Sequence, residues 1–184
     1  MSALVRLGTR GSQLALYQAN AVAALIKAKH GTSCEIVIIR TSGDRLQDAP
    51  LSELGGKRLF VKEIEDALSS GTIDLAVHSS KDMPAVLADG LDIAGVLPRE
   101  DARDAVVLPL TGSSEAAARP LDLDALVVRL GHTSSIGTSS VRRIAQLARL
   151  FPQATFAPIR GNLDTRLRKL DRGDHDALVL ASAG

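Results

Sequence analysis

The stretch Gly137-Thr138-Ser139-Ser140-Val141-Arg142-Arg143 constrains the fold most, because it marks a passage from apolar strand to amphipathic helix. Val127, Val128 and then Ile136 run into it as an apolar strand, and a helix with Val141, Ile144, Ala145 and Ala148 on one face leaves it. Thr138 or Ser139 is placed to cap that helix, since a hydroxyl can accept from a free helix N–H. Arg142 and Arg143 stand in the first turn, where the helix dipole is already positive and cations are mildly unfavourable. Two readings are open. Three hydroxyls, free backbone N–H groups and two guanidinium groups converge on a bound anion, or the helix is simply capped and its arginines are solvated.

The same passage recurs upstream. Leu4 to Gly8 reads as a first strand and Thr9-Arg10-Gly11-Ser12 as a loop, with Ser12 or Thr9 capping a helix to about Lys29 whose stripe is Leu14, Ala15, Ala19, Val22, Leu25 and Ile26. Cys34 to Ile39 is a β-branched-rich strand, followed by a turn at Thr41 to Asp44. Leu51 to Arg58, with Gly55-Gly56, is expected to be mobile. A helix from about Phe60 to Ser69 puts Phe60, Ile64, Ala67 and Leu68 inside and Lys62, Glu63, Glu65 and Asp66 outside; Gly71 ends it. Ile73 to His78 is a short buried strand emptying into Ser79-Ser80-Lys81-Asp82-Met83-Pro84, and Leu91 to Leu97 is another strand. This alternation gives an α/β fold with mainly parallel sheets. Ligands of such sheets sit at the carboxyl ends of the strands, so Thr9-Arg10, Thr41 to Asp44 and Ser79 to Asp82 are expected to share one rim.

The charged run Pro98 to Asp104 reads as a crossing between two domains, residues 1–99 and 100–184. In the second, Ala105 to Leu110 is a strand, Thr111 to Arg119 a surface loop, and Leu121 to Leu130 a short helix and turn. Ala154 to Ile159 is a strand. Asn162 caps a helix with Leu163, Leu167 and Leu170 inside, Gly173 ends it, and Ala177 to Leu180 is a last strand. Arg142 and Arg143 thus follow one strand, and Arg160 and Arg166 another. Four guanidinium groups around one rim suggest a ligand with several carboxylates or phosphates, which arginine binds bidentately. Solvated helix ends account for one such arginine more easily than for four.

Composition excludes other classes. Net charge is +1, and the aromatics are Tyr17, Phe60, Phe151 and Phe156 alone, so neither a basic field nor a base-stacking surface supports nucleic-acid binding. The single cysteine, Cys34, permits no intrachain disulfide and reads as a buried thiol in a reducing compartment. No signal peptide or membrane span is evident, so a cytoplasmic protein is expected. His30, His132 and His175 have no ligand spacing, so no metal is expected. His78 reads as a structural, hydrogen-bonded histidine. Lys81-Asp82 is either a surface ion pair or a carboxylate set beside a lysine to stabilise or shuttle a proton.

Five segments carry a resemblance. They are Thr9-Arg10-Gly11-Ser12-Gln13-Leu14-Ala15, then Gly55-Gly56-Lys57-Arg58-Leu59-Phe60-Val61-Lys62-Glu63, then Asp74-Leu75-Ala76-Val77-His78-Ser79-Ser80-Lys81-Asp82-Met83-Pro84, then Gly137 to Arg143, then Arg160-Gly161-Asn162-Leu163-Asp164-Thr165-Arg166-Leu167. In that order they resemble the porphobilinogen deaminase (hydroxymethylbilane synthase) family. The resemblance implies two lobes like those of periplasmic binding proteins. It implies a monomeric transferase that deaminates porphobilinogen and joins four units head to tail on a thioether-bound dipyrromethane cofactor. Asp82 would be the key acid. Ser79, Lys81, Asp82, Thr138, Ser139, Ser140, Arg142 and Arg143 would hold the cofactor. Arg10, Ser12, Gln18, Arg160 and Arg166 would line the substrate side, and Leu51 to Leu59 would be a mobile cover. The family's third α+β domain, with the cofactor-bearing cysteine, has no counterpart here, and Cys34 does not match it. The expectation is a chain inactive alone and unable to attach the cofactor covalently. A non-catalytic two-lobed module for a polycarboxylate is the alternative.

Overall fold

The computed structural model describes residues 4–42, 61–110 and 120–183. The expected mobile cover at Leu51 to Leu59, the loop Thr111 to Arg119 and the buried Phe60 lie outside the described residues. The chain divides into two compact units, Met1–Leu97 and Pro98–Gly184.

The first unit comprises β1 (Val5–Thr9), α1 (Gln13–His30), β2 (Cys34–Ile38), α2 (Lys62–Ser69) and β3 (Leu75–Ala76). Its sheet has the order β2-β1-β3, all parallel, with Leu7 of β1 set between Ile36 and Leu75. Leu7, Ala19, Val61, Ile64 and Ile73 are buried. Helix cover over a parallel sheet buries Leu7 to Thr9 of the central β1, while β2, at the sheet edge, is only half-buried and Ile38 is 55% exposed. Asp74 fixes the register. Its carboxylate accepts from the Arg6 backbone N–H at 2.7 Å and grips the Arg6 guanidinium at 2.7 and 3.1 Å, while its own N–H donates to the Arg6 carbonyl at 2.9 Å. Next to this brace, a Cβ on Gly8 would stand 2.3 Å from the Ile73 Cδ1.

Three expectations for this unit need correction. The strand expected from Ile73 to His78 has two paired residues, β3, although the Val77 N–H still bonds the Gly8 carbonyl at 3.0 Å. Leu91 to Leu97 is no strand: both edges of β1 are taken, β3 offers only two residues to pair, and Ile93 and Val96 are 60% and 86% exposed. Glu63 and Glu65 do not lie outside. Because α2 packs against both β1 and β3, it turns Glu65 inward with Ile64, and Glu63 is half-buried.

The second unit comprises β4 (Asp104–Val107), α3 (Leu123–Leu130), β5 (Ser135–Gly137), α4 (Val141–Leu150), β6 (Thr155–Ala157), α5 (Leu163–Asp171) and β7 (Ala177–Ala181). The sheet order is β4-β7-β5-β6; β7, β5 and β6 run parallel, and β4 joins β7 antiparallel. Successive residues of a strand face opposite sides. Accordingly Leu178 and Leu180 pack with Ile159 and Leu170, while Val179 packs with Ile136 and Phe151. Asp176 repeats the part of Asp74: it accepts from the Ser135 N–H at 2.7 Å and donates its own N–H to the Ser135 carbonyl at 2.9 Å. Gly137 repeats the part of Gly8, with the Leu178 Cδ2 only 2.5 Å from where a Cβ would stand and the His175 ring at 3.0 Å.

Two expectations change here. Val127 and Val128 are helical, in α3, where Val127 packs on the Ile136–Phe151 cluster and Val128 is 83% exposed. In α4 the inward face carries Leu147, packed on Phe151 and its neighbours, so Val141 is 80% exposed and Ala145 and Ala148 are exposed too.

Two outcomes follow from this packing. The Arg6 guanidinium and N–H hold the Asp74 carboxyl at about 2, below the ~3.9 of an unfolded aspartate. The stability it adds is therefore present above about pH 4 and lost as pH falls toward about 2, and it is small because the pair is exposed. Asp74→Asn should lower the unfolding temperature near neutral pH, with the difference closing in acid; an equal difference at both ends would contradict this. Gly137→Ala should cost about 1–3 kcal/mol by overpacking a filled interior, measured by urea unfolding; a neutral result would mean that Leu178 and His175 yield freely.

Candidate functional site

In the first unit the parallel order brings the ends of β1, β2 and β3 to one edge, so residues 9–12, 39–42 and 77–82 emerge together. Thr9 and Thr41 are fully buried there, and the Thr9 hydroxyl donates to the Ala15 carbonyl at 3.2 Å. Ser12 caps α1, its hydroxyl oxygen accepting from the Ala15 N–H at 3.3 Å. The backbone N–H of Ser42 donates to Glu63 at 2.8 Å, and its hydroxyl donates to the same oxygen, tying the loop after β2 to α2. Gln18 lies half-buried on the second turn of α1.

The loop after β3 winds into a 3-10 turn, Ser80–Asp82, closed by the Asp82 N–H on the Ser79 carbonyl at 2.9 Å. Lys81 is exposed and Asp82 half-buried, and no ion pair joins them. That removes the ion-pair reading of this dipeptide among the described residues. His78 stands among charges: burial holds its pKa down, Asp82 opposes this, Arg10 adds to it and Glu65 opposes it. A neutral imidazole beside a carboxylate and a guanidinium group can relay a hydrogen bond without adding a charge of its own. Arg10 is half-buried and engaged in an interaction of its own. Glu65 was absent from the sequence reading as a site residue. It is 8% exposed, and its Oε1 has no hydrogen-bond partner among the described residues. Only its position one residue after Ile64, on a helix packed against two adjacent strands, could have signalled this.

In the second unit the loops after β5 and β6 are bound to each other. The Ser139 hydroxyl donates to the Ile159 carbonyl at 3.0 Å and accepts from the Ile159 N–H at 3.1 Å. The helix cap is Ser140, neither Thr138 nor Ser139: its hydroxyl oxygen accepts from the Arg143 N–H at 3.4 Å. Thr138 is 2% exposed, and its hydroxyl oxygen accepts from the Ser140 N–H at 3.2 Å. All three hydroxyls expected to face an anion are thus engaged in shaping the loop.

The arginines divide. Arg143 is committed inside the unit: Nη1 donates to the Val179 carbonyl at 2.8 Å, and Nε and Nη2 donate to the Asp104 carboxylate at 3.1 and 2.8 Å. Its side chain is 16% exposed. Arg142 meets the other oxygen of Asp104 at 2.8 Å, but its side chain is 59% exposed, and it has no other partner among the described residues. Burial pushes the Asp104 carboxyl up; Arg143 and then Arg142 outweigh this and hold it below the usual range. Arg166 Nε donates to the Gly161 carbonyl at 2.8 Å, Lys169 Nζ reaches the Arg160 carbonyl at 3.4 Å, and Asn162 caps α5. Arg160 and Arg166 are half-buried, each engaged in a further interaction. What remains outward on this rim is chiefly Arg142, beside the N-terminus of α4. No cluster that could hold a metal ion, and no helix long and apolar enough to cross a membrane, occurs among the described residues.

Residues 5–184 match the family model described as porphobilinogen deaminase, dipyromethane cofactor binding domain. The chain is 47% identical over 182 residues to the porphobilinogen deaminase of Syntrophobacter fumaroxidans, covering 98% of this chain and 55% of that protein. It is 49% identical over 181 residues to that of Acidithiobacillus ferrooxidans (98% and 55%) and 48% over 184 residues to that of Syntrophotalea carbinolica (100% and 54%). It spans about half the length of the curated relatives it matches. The periplasmic VFT2 domain of Bordetella pertussis BvgS aligns at 18% identity and a TM-score of 0.45, over 97% of this chain and 66% of that one. On the family model and on relatives nearly half identical across its whole length, the chain belongs to the porphobilinogen deaminase family.

Proposed function

We propose that this chain provides the binding and acid machinery of a hydroxymethylbilane synthase, a transferase that deaminates porphobilinogen and joins four units head to tail. The observation that carries this reading is the placement of charge in a member of this family: in each unit, ionic side chains follow the carboxyl ends of parallel strands, Arg10 and Asp82 in one and Arg142 in the other.

Asp82 is the acid. Its carboxylate, on a short turn and half-buried, accepts from pyrrole N–H groups and stabilises the positive charge that grows as ammonia leaves the aminomethyl carbon of porphobilinogen. Neutral His78 beside it keeps that negative charge uncompensated. Lys81 and Ser79 stand on the same turn and hold ring carboxylates, while Arg10, Ser12 and Gln18 belong to the substrate side. In the second unit Arg142 takes a carboxylate through the open edge of its guanidinium group. Ser139 and Ser140 shape the loop beside it with Thr138, Arg143 fixes its surroundings, and Arg160 and Arg166 set the neighbouring loop. The cationic donors of each unit, Lys81 in the first and Arg142 in the second, are of the kind that suits the acetate and propionate groups of a dipyrromethane. That group, when bound, supplies the pyrrole end to which further units are added. Cys34 opens β2 and does not match the family's anchoring position, so this chain is inferred to hold the dipyrromethane without a covalent bond and to be inactive without it.

Turnover of porphobilinogen, followed by ammonia release in the presence of a preformed dipyrromethane, tests the reading. Asp82→Asn should reduce turnover by about 10²-fold while leaving the unfolding temperature within a degree or so. The electrospray mass of the purified chain should equal that of the polypeptide alone. A mass raised by a dipyrrole would contradict the non-covalent reading. Binding of the dipyrromethane without any turnover would favour the other reading, a non-catalytic module for a polycarboxylate.

A further inference from the structure

We infer that Asp104 is a positioning residue for anion recognition: it aims Arg142 outward by holding the Nη2 of its guanidinium group beside the half-buried Arg143. The inference rests on the reading that the rim of the second unit takes a ligand carboxylate, and it names a residue that reading does not use.

The geometry is a relay of three charged groups. Arg143 is fixed at three nitrogens, with Nη1 on the Val179 carbonyl and Nε and Nη2 on the Asp104 Oδ1. Val179 lies in the middle of β7, so Arg143 is anchored to a strand buried on both sides. Asp104 opens β4 and pairs in register with Ala181 of β7, so its backbone is fixed by the same sheet. Its Oδ2 then reaches the Arg142 Nη2 at 2.8 Å. A guanidinium group has two usable edges and a side chain with four rotatable bonds. Left to itself on the surface, Arg142 would sample many rotamers, and a ligand would have to order it on binding, at a cost in conformational entropy. Asp104 orders it beforehand through one hydrogen of Nη2 and leaves one edge of the guanidinium group, completed by the second Nη2 hydrogen, open for a carboxylate.

Asp104 could instead compete with the ligand, as a carboxylate already seated on the pair. The geometry disfavours competition. Oδ1 is shared by two nitrogens of a guanidinium group that is 16% exposed, and Arg143 is fixed from the other side by a main-chain carbonyl. A ligand carboxylate that replaced Asp104 there would have to break both of its bonds to Arg143. The two possibilities predict opposite signs on removal of the charge.

A double-mutant cycle decides, using the whole chain at one salt concentration and a soluble dipyrromethane bearing acetate and propionate groups as the probe. Arg142→Met should weaken the dissociation constant about 10-fold and Asp104→Asn about 3–5-fold, whereas in the Arg142→Met background Asp104→Asn should change it by less than about 1.5-fold. Asp104→Glu, which keeps the charge, should restore part of the loss. Arg143→Met reports on folding: it should lower the unfolding temperature more than Arg142→Met does, and if Asp104→Asn also lowers it, the cycle is read at a temperature where circular dichroism shows all four proteins folded. Tighter binding by Asp104→Asn, or an equal loss in both backgrounds, would overturn the positioning role while leaving the anion site standing. Unchanged affinity in Arg142→Met would overturn the anion site itself, and the inference with it.

Discussion

An aspartate one residue ahead of a sheet strand sets the frame of each unit. Asp74 and Asp176 accept from the backbone N–H of the neighbouring strand at the same 2.7 Å, and each returns its own N–H to the carbonyl of the same residue. Two residues further along that neighbouring strand stands a glycine, Gly8 or Gly137, filled against by the residue ahead of the aspartate or by the strand itself. The next residue is a threonine, Thr9 or Thr138, essentially without exposure. Register, close approach and the start of the polar loop follow from one another. A shift of one residue would turn the whole apolar set of the strand to the wrong face. Ser12 or Ser140 then caps the following helix, with Arg10 just ahead of the first cap and Arg142 and Arg143 just after the second.

The charged groups of the second unit perform two tasks that look alike in the chain. Arg142 and Arg143 are adjacent, yet one is largely exposed and the other is tied to a main-chain carbonyl and a carboxylate. Adjacent residues in the first turn of a helix point about 100° apart, so one can enter the sheet edge while its neighbour faces water. The hydroxyls of Thr138, Ser139 and Ser140 separate in the same way from what their composition suggests: each makes a bond within the loop that a bound ligand would otherwise compete for. Such internal bonds place the remaining donors before a ligand arrives, which is how a preformed site saves ordering entropy.

The alternation of strand and helix was legible because apolar periodicity is a local property, and the capping residues Ser12 and Asn162 fell where their spacing put them. The motifs carried the family. What stayed hidden depends on partners far along the chain. Asp104 read as one member of a charged crossing, since Arg142 and Arg143 lie nearly forty residues away. Glu65 read as a surface carboxylate because a helix wheel does not show that α2 is covered by two strands. Val141, at the first position of α4, satisfied the apolar spacing and yet faces solvent, because Leu147 and Phe151 set how that helix lies. Leu91 to Leu97 has a strand's composition but no paired neighbour, since hydrogen-bonding capacity on the sheet edge is a property of the fold and not of the segment.

The place of β7 has a consequence for how the second unit is assembled. Among the described strands of this unit β7 is the latest in chain order, and it lies between β4, the earliest, and β5. Before Ala177–Ala181 exists, β5 and β6 can pair with each other, but β4 has no edge to join and Arg143 has no carbonyl to reach. Pairing β4 with β7 closes a loop that contains nearly the whole unit, the step for which chain entropy is greatest. During synthesis the unit would therefore wait as a helix-covered two-stranded fragment, and its sheet, its two apolar clusters and the orientation of its arginines would all be completed by a single late insertion.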